Sequence, residues 1–131
     1  MKLFSLSHST LPTRRALRAF ALSALALTTA TSAFAHAHLA SSEPASNAEV
    51  AAPHEVTIHF TEPLEPAFSK ITLDDASGKP AAPAASQVDA NDAKVMHLTL
   101  PQLSAGRYTA RWTAVATDGH RTHGDFMFTV K

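Results

Sequence analysis

A histidine at a free amino terminus is a chelating residue, because its α-amine and its imidazole can bind the same metal ion. His36 directly follows Ala33-Phe34-Ala35, which fits the A-x-A pattern at which secretory signal peptides are cleaved. Cleavage after Ala35 would leave His36 as the first residue of the mature chain. We predict that its amine and its Nδ1 atom supply two neighbouring corners of a metal site.

A second group of potential ligands lies near the end of the chain, where Asp118 and His120 flank Gly119. In an extended segment, positions i and i+2 point to the same side, so the carboxylate and the imidazole are expected to face one ion. The chain has no cysteine, so a metal site must use nitrogen and oxygen donors. Cu(II) prefers tetragonal sets of such donors and binds them more tightly than other first-row divalent metals do. The sequence therefore predicts one Cu(II) ion per chain, bound by His36, Asp118 and His120.

Other interpretations of the same residues stay open at this point. Asp118-Gly119 is also a hairpin signal, so a histidine after it need have no function. His38 is the third residue from the predicted amine, a spacing at which the amine, two backbone amides and one imidazole can bind copper locally. That arrangement requires His38 to leave the first strand. His123 is interpreted as a solvated turn residue near the site.

Residues 1–35 are predicted to form a secretory signal peptide, and residues 36–131 a single small domain. The n-region carries four basic residues and is followed by an apolar stretch over residues 19–27, which is too short to span a membrane. We therefore expect export to the periplasm and no membrane span after processing. The mature part has seven Lys and Arg against eleven Asp and Glu, a formal charge of −4. This mildly acidic balance argues against a nucleic-acid partner.

The mature sequence has the alternating pattern of short β-strands separated by turn residues. Val56, Ile58 and Phe60 alternate with polar residues, and Ile71 and Leu73 do the same. Three later segments also place their apolar residues on one face of a predicted strand. Short strands are also expected near residues 38–42 and 87–88. About seven strands at this spacing predict an all-β sandwich or Greek-key barrel. The inward positions are Met96, Leu98 and Leu100, then Tyr108, Ala110, Trp112 and Ala114 in a long strand that begins at Gly106, and finally Phe126, Phe128 and Val130.

Several segments, taken in order, resemble the CopC family of periplasmic copper-resistance proteins, and the resemblance spans essentially the whole mature domain. The segments are residues 36–45 (HAHLASSEPA), 56–65 (VTIHFTEPLE), 106–112 (GRYTARW), 116–120 (ATDGH) and 124–128 (GDFMF). The resemblance implies an immunoglobulin-like fold and a Cu(II) site made by His36, Asp118 and His120. It also implies a non-catalytic role, in which the protein buffers copper or carries it. The expected partner is an inner-membrane copper transporter or another periplasmic copper protein.

One departure from the family concerns methionine. Some relatives carry a second site, for Cu(I), in a methionine-rich loop, whereas the mature chain has only Met96 and Met127. We therefore expect a protein that binds Cu(II) alone.

Two other functions are alternatives to a copper carrier. An N-terminal histidine with a second histidine also forms the copper brace of lytic polysaccharide monooxygenases, but a carboxylate ligand such as Asp118 is expected to discourage redox turnover. The chain has a single Trp and a single Tyr, which provide little surface for stacking on sugars. The last alternative is an immunoglobulin-like interaction domain that binds no metal.

Overall fold

The structure is a computed structural model that describes residues 36–131. The predicted signal peptide, residues 1–35, lies outside the described residues. Within the described part of the chain the regular elements are all strands, and none of it forms a helix long and apolar enough to cross a membrane. The strands are β1 (Leu39–Glu43), β2 (Glu49–Val50), β3 (Glu55–Phe60), β4 (Lys70–Asp75), β5 (Gln87–Val88), β6 (Val95–Thr99), β7 (Gly106–Val115) and β8 (Arg121–Val130).

The strands form two four-stranded sheets, in the orders β1-β3-β6-β5 and β2-β8-β7-β4. All pairings are antiparallel except that of β2 with β8, which is parallel. Residues that alternate along the strands of both sheets are buried in one hydrophobic core, as expected for two sheets packed face to face. The Phe60 ring of one sheet packs edge-on against Trp112 of the other, with 5.2 Å between ring centroids. The predicted all-β sandwich is confirmed.

The core follows the predicted alternation closely. All the predicted inward residues are buried, and Trp112 is the most exposed of them at 9%. Val95 differs, because alternation along β6 predicts an outward position and yet its side chain is buried. The end of β3 and the segment after it run beside the residues that precede β6, where Phe60 N donates to the Lys94 carbonyl and Leu64 N donates to the Ala93 carbonyl. A pattern of period two along β6 does not register such neighbours from elsewhere in the chain.

Two strands differ from the prediction in detail. β2 has only two residues, so it carries no measurable alternation, and it brings the number of strands to eight rather than about seven. β7 and β8 are equally long at ten residues each, and their hairpin is the longest pairing in the described fold. The turn of this hairpin contains Asp118 and His120, so the two predicted ligands lie at one end of the sandwich.

Candidate metal centre

A tight turn between β7 and β8 positions Asp118 and His120. The Ala116 N–H donates to the His120 carbonyl at 2.9 Å, and the Gly119 N–H donates to the Ala116 carbonyl at 2.8 Å. Gly119 has a φ of 89°, a left-handed conformation that glycine adopts without steric cost. The turn therefore fixes the backbone on both sides of Asp118.

Asp118 contacts His120 twice. Its Oδ1 atom accepts a hydrogen bond from the His120 N–H at 3.1 Å, and its Oδ2 atom lies 2.9 Å from the His120 Nδ1 atom. The two side chains are therefore adjacent, as predicted. The predicted cause was wrong, because the segment is a hairpin turn rather than an extended strand, and the carboxylate bends back onto the residue two positions later.

The charge of Asp118 is favoured by its neighbours. The backbone hydrogen bond from His120 lowers the pKa of Asp118, and the side-chain contact with His120 lowers it further. The nearby charge of His36 acts in the same direction. Asp118 therefore presents an anionic carboxylate, the form in which it could bind a cation.

The segment that contains His36 is attached to the end of the sandwich through Thr61 and Thr122. The Thr61 hydroxyl accepts a hydrogen bond from the His38 N–H at 3.0 Å and donates one to the His36 carbonyl at 3.2 Å. The Thr61 N–H donates to the His38 carbonyl at 2.9 Å. The Thr122 hydroxyl donates to the carbonyl of Ala37, whose side chain is fully buried in the core. The first described residues are thus held by Thr61, directly after β3, and by Thr122 in β8 of the other sheet.

These attachments bring all three predicted ligands to one surface. The rings of His36 and His120 are 4.9 Å apart between centroids and tilted by 56°. The ring of His38 is 6.0 Å from that of His36. His123 is exposed within β8, opposite Thr113, rather than in a turn as the sequence suggested.

The three predicted ligands are neighbours, but their donor atoms are not arranged around a common metal position. Among residues 36–131, no three His, Cys, Asp or Glu side chains form a ready-made metal-binding group. Asp118 contacts the Nδ1 atom of His120, so the Nε2 atom of that ring is the nitrogen not in contact with this carboxylate. A carboxylate on one ring nitrogen is also the usual means of orienting a histidine whose other nitrogen binds a metal. Each carboxylate oxygen has two lone pairs, so Asp118 can keep these bonds and still donate to an ion. The donor set therefore fits Cu(II) chemically.

Thr61 and Thr122 hold the N-terminal segment beside the candidate site and were not predicted from the sequence. Threonine is common in strands, and nothing in its spacing indicates that its hydroxyl bonds a distant backbone group. Thr122 and Ala37 are separated by 85 positions. Only the folded arrangement identifies such a pair.

Known proteins resemble this chain in sequence and in fold. It is 37% identical over 122 residues to protein YobA of Escherichia coli K12, an alignment that covers 91% of this chain and 98% of YobA. CopC from Methylosinus trichosporium OB3b superposes with a TM-score of 0.69 at 31% identity and covers 73% of this chain and 94% of that structure. PcoC, a methionine-rich copper resistance protein from Escherichia coli, superposes with a TM-score of 0.64 at 37% identity, over 74% of this chain and all of PcoC.

The eight strands and two sheets define a small all-β sandwich domain, and its family relatives are copper-binding proteins. The chain belongs to the CopC family, whose CopC domain matches residues 39–131. Proteins of this family bind copper and are not enzymes, so the monooxygenase alternative falls away. The matched range includes Asp118 and His120 but begins after His36 and His38.

Proposed function

We propose that this protein binds one Cu(II) ion in the periplasm and buffers or carries it for copper resistance. In this proposal the signal peptide ends at Ala35, and the mature domain is residues 36–131. The α-amine and Nδ1 atom of His36, the Asp118 carboxylate and the His120 imidazole are the ligands. The observation that carries the proposal is the 4.9 Å separation of the His36 and His120 rings, with Asp118 in contact with His120.

The chemistry of these donors supports Cu(II) in particular. Two nitrogens from His36, one from His120 and one anionic oxygen make the tetragonal type of set that Cu(II) prefers. The two methionines of the described chain do not add a soft site for Cu(I), because Met96 is fully buried in the core and Met127 lies on an outward face of β8. We therefore propose a single site and the oxidised ion.

The proposed cellular role is exchange of copper with another protein. Both Asp118 and His120 are exposed, with 38% and 59% of their side chains accessible, so a partner could reach the ion directly. We propose an inner-membrane copper transporter or another periplasmic copper protein as that partner.

The test is a Cu(II) titration with a competing chelator. The exported protein, with His36 confirmed as its first residue by mass spectrometry, is compared with a variant that has one extra residue before His36. We expect the extra residue and the His120→Ala substitution each to weaken binding by at least about tenfold. His54→Ala is the matched control, because His54 lies beside the opposite end of β3 and should leave binding unchanged.

Two other results would contradict the proposed site. Binding that depends on His38 and ignores His120→Ala would assign copper to the local terminal chelate. Equally weak binding by both forms would remove the copper site and leave the metal-free interaction domain.

A further inference from the structure

The N-terminal segment could bind copper in two ways that exclude each other. In the proposed site, His36 shares the ion with Asp118 and His120. In the local chelate, the amine of His36 would share it with the backbone nitrogens of Ala37 and His38 and with the His38 imidazole. The second arrangement is intrinsic to the sequence His36-Ala37-His38 and needs no fold at all.

We propose that Thr61 and Thr122 select between these two modes by holding the backbone of residues 36–38 in the conformation that excludes the local chelate. This inference rests on the proposed function. It assigns to the two threonines a positioning role that decides the ligand set, although neither touches the ion.

The backbone nitrogen of His38 is already engaged in a hydrogen bond. The local chelate needs this atom as a ligand, but its N–H donates to the Thr61 hydroxyl at 3.0 Å. The same hydroxyl donates to the His36 carbonyl, and the Thr61 N–H donates to the His38 carbonyl. Wrapping the segment around copper would therefore break a group of bonds that all converge on Thr61.

Ala37 is also held in place by the fold. Its side chain is fully buried in the hydrophobic core, and its carbonyl accepts a hydrogen bond from Thr122. The local chelate would have to turn the peptide planes on both sides of Ala37 toward the ion. That rotation would remove Ala37 from the core and leave the Thr122 hydroxyl without this acceptor.

The same bonds favour the proposed site. They anchor the backbone on both sides of Ala37, and in this position the ring of His36 lies 4.9 Å from that of His120. Thr61 follows β3 of one sheet, whereas Thr122 lies in β8 of the other. The ligand from the amino terminus is therefore held from two sides before copper arrives, which reduces the ordering cost of binding.

The test measures whether Cu(II) affinity depends on His38 or on His120, in the presence and in the absence of the two threonine hydroxyls. The exported protein and its Thr61→Val/Thr122→Val variant are each combined with His38→Ala or with His120→Ala, and Cu(II) affinity is measured by competition. Valine keeps the size and branching of threonine and removes only the hydroxyl. Thr72→Val, at an exposed position of β4, is the matched control. Circular dichroism verifies that each variant is folded.

In the native background we expect His120→Ala to cost at least about tenfold in affinity, and His38→Ala less than about threefold. In the double-valine background we expect the opposite: His38→Ala should then cause the large loss of Cu(II) affinity, and His120→Ala the small one. The visible absorption of Cu(II) should also move to shorter wavelength, because backbone amide nitrogens are stronger-field ligands than a carboxylate. Thr61→Ser/Thr122→Ser keeps both hydroxyls and should restore the native dependence on His120.

Each remaining outcome separates this inference from the proposed function. Dependence on His120 in both backgrounds would overturn the role of the threonines and leave the proposed site intact. Dependence on His38 in the native background would overturn the proposed ligand set itself. If the double-valine variant does not fold, the single Thr61→Val variant is compared in the same way, since it removes both side-chain bonds to the segment around His38.

Discussion

Gly124 lies directly beneath the indole ring of Trp112, its partner across the β7–β8 ladder. A Cβ atom built on Gly124 would be 2.6 Å from Cζ2 of Trp112 and 2.9 Å from Cε2. The ring cannot easily retreat, because it is 9% exposed and Phe60 packs against it. The glycine therefore provides the space that the largest core side chain occupies.

We predict that Gly124→Ala destabilises the fold by about 1–3 kcal/mol, the usual cost of overpacking a core. Urea unfolding followed by the fluorescence of Trp112, the only tryptophan, measures the effect. Met127→Ala on the same strand is the control, because Met127 is 41% exposed and should give a much smaller change. An unchanged unfolding midpoint in Gly124→Ala would contradict the close contact.

Asp89 is an ionised residue that stabilises its own loop. Its Oδ1 atom accepts hydrogen bonds from the N–H groups of Asn91 at 2.7 Å and Asp92 at 3.0 Å, and its Oδ2 atom lies 3.2 Å from Nε2 of His97. The hydrogen bond from Asn91, followed by that from Asp92, holds the pKa of Asp89 below its ordinary value of 3.8. Because the folded state favours the charged form, this carboxylate adds stability above the unfolded pKa of about 3.9.

We predict that this contribution is lost as the pH falls below about 4 and through the lowered pKa of Asp89. An NMR titration of the side-chain carboxyl carbon should have its midpoint below 3.8. The difference in unfolding free energy between the native protein and Asp89→Ala should be larger near neutral pH than below the midpoint. A difference that does not vary with pH would contradict the assignment.

Individual residues differ in how far the sequence predicts them. Asp118 and His120 could be paired from sequence because they are two positions apart, although from sequence alone the hairpin that pairs them stands as an alternative to a metal site rather than as its cause. The approach of His36 to His120 spans most of the mature chain, so donor chemistry and the family resemblance suggested it, but no local pattern could. Thr61 and Thr122 could not be predicted, because their roles are hydrogen bonds to backbone atoms of a distant segment.

The segment between β3 and β4 supports the hairpin turn of the candidate metal centre. Leu64 forms a bridge with Ala116, and the Thr117 N–H donates to the Pro63 carbonyl at 3.2 Å. At the end of this segment the buried Ser69 hydroxyl accepts a hydrogen bond from the Val115 N–H at 3.0 Å. The last residue of β7 before the turn is therefore fixed by a side chain from outside its own hairpin.

We predict that Ser69→Ala destabilises the fold by about 1–3 kcal/mol, because it leaves the N–H of Val115 without this buried acceptor. Thermal unfolding monitored by circular dichroism measures the change. Ser104→Ala is the control, since Ser104 is exposed and uses its backbone carbonyl, rather than its hydroxyl, to accept the hydrogen bond from Tyr108. Equal unfolding temperatures for the two variants would contradict a structural role for Ser69.

The elements themselves were largely predictable. β3, β4, β7 and β8 have one buried face each, and period-two alternation detects such strands directly. β2 was not predicted, because two residues cannot establish a period. Its position beside β8 depends on residues far along the chain. Local pattern thus predicts long strands well and says little about short ones.

For the whole molecule, the proposed site predicts that copper stabilises the native state. A ligand that binds only the folded protein adds about 2.7 kcal/mol of stability at a free concentration one hundred times its dissociation constant. Cu(II) should therefore raise the unfolding temperature of the protein that begins at His36. Zn(II) should raise it less, since copper binds nitrogen and oxygen sites more tightly.

The control for this prediction is the variant with one residue added before His36. It lacks the α-amine at that position, so the same copper concentration should shift its unfolding temperature much less. Equal shifts in the two proteins would mean that copper stabilises the fold through other groups.

The chain has no cysteine, so no disulfide can join the N-terminal segment to β8. The Thr122 hydrogen bond to Ala37 joins positions 85 residues apart, one in β8 and the other just before β1 of the opposite sheet. An ion shared by His36 and His120 would add a coordinate cross-link beside this hydrogen bond. The cross-link would close a loop that contains nearly the whole domain. A covalent cross-link that closes a loop of that size lowers the conformational entropy of the unfolded chain, which corresponds to about 4–5 kcal/mol of stabilisation. Copper would then act as a reversible cross-link between the N-terminal segment and the β7–β8 turn, one that a chelator or an acceptor protein can remove.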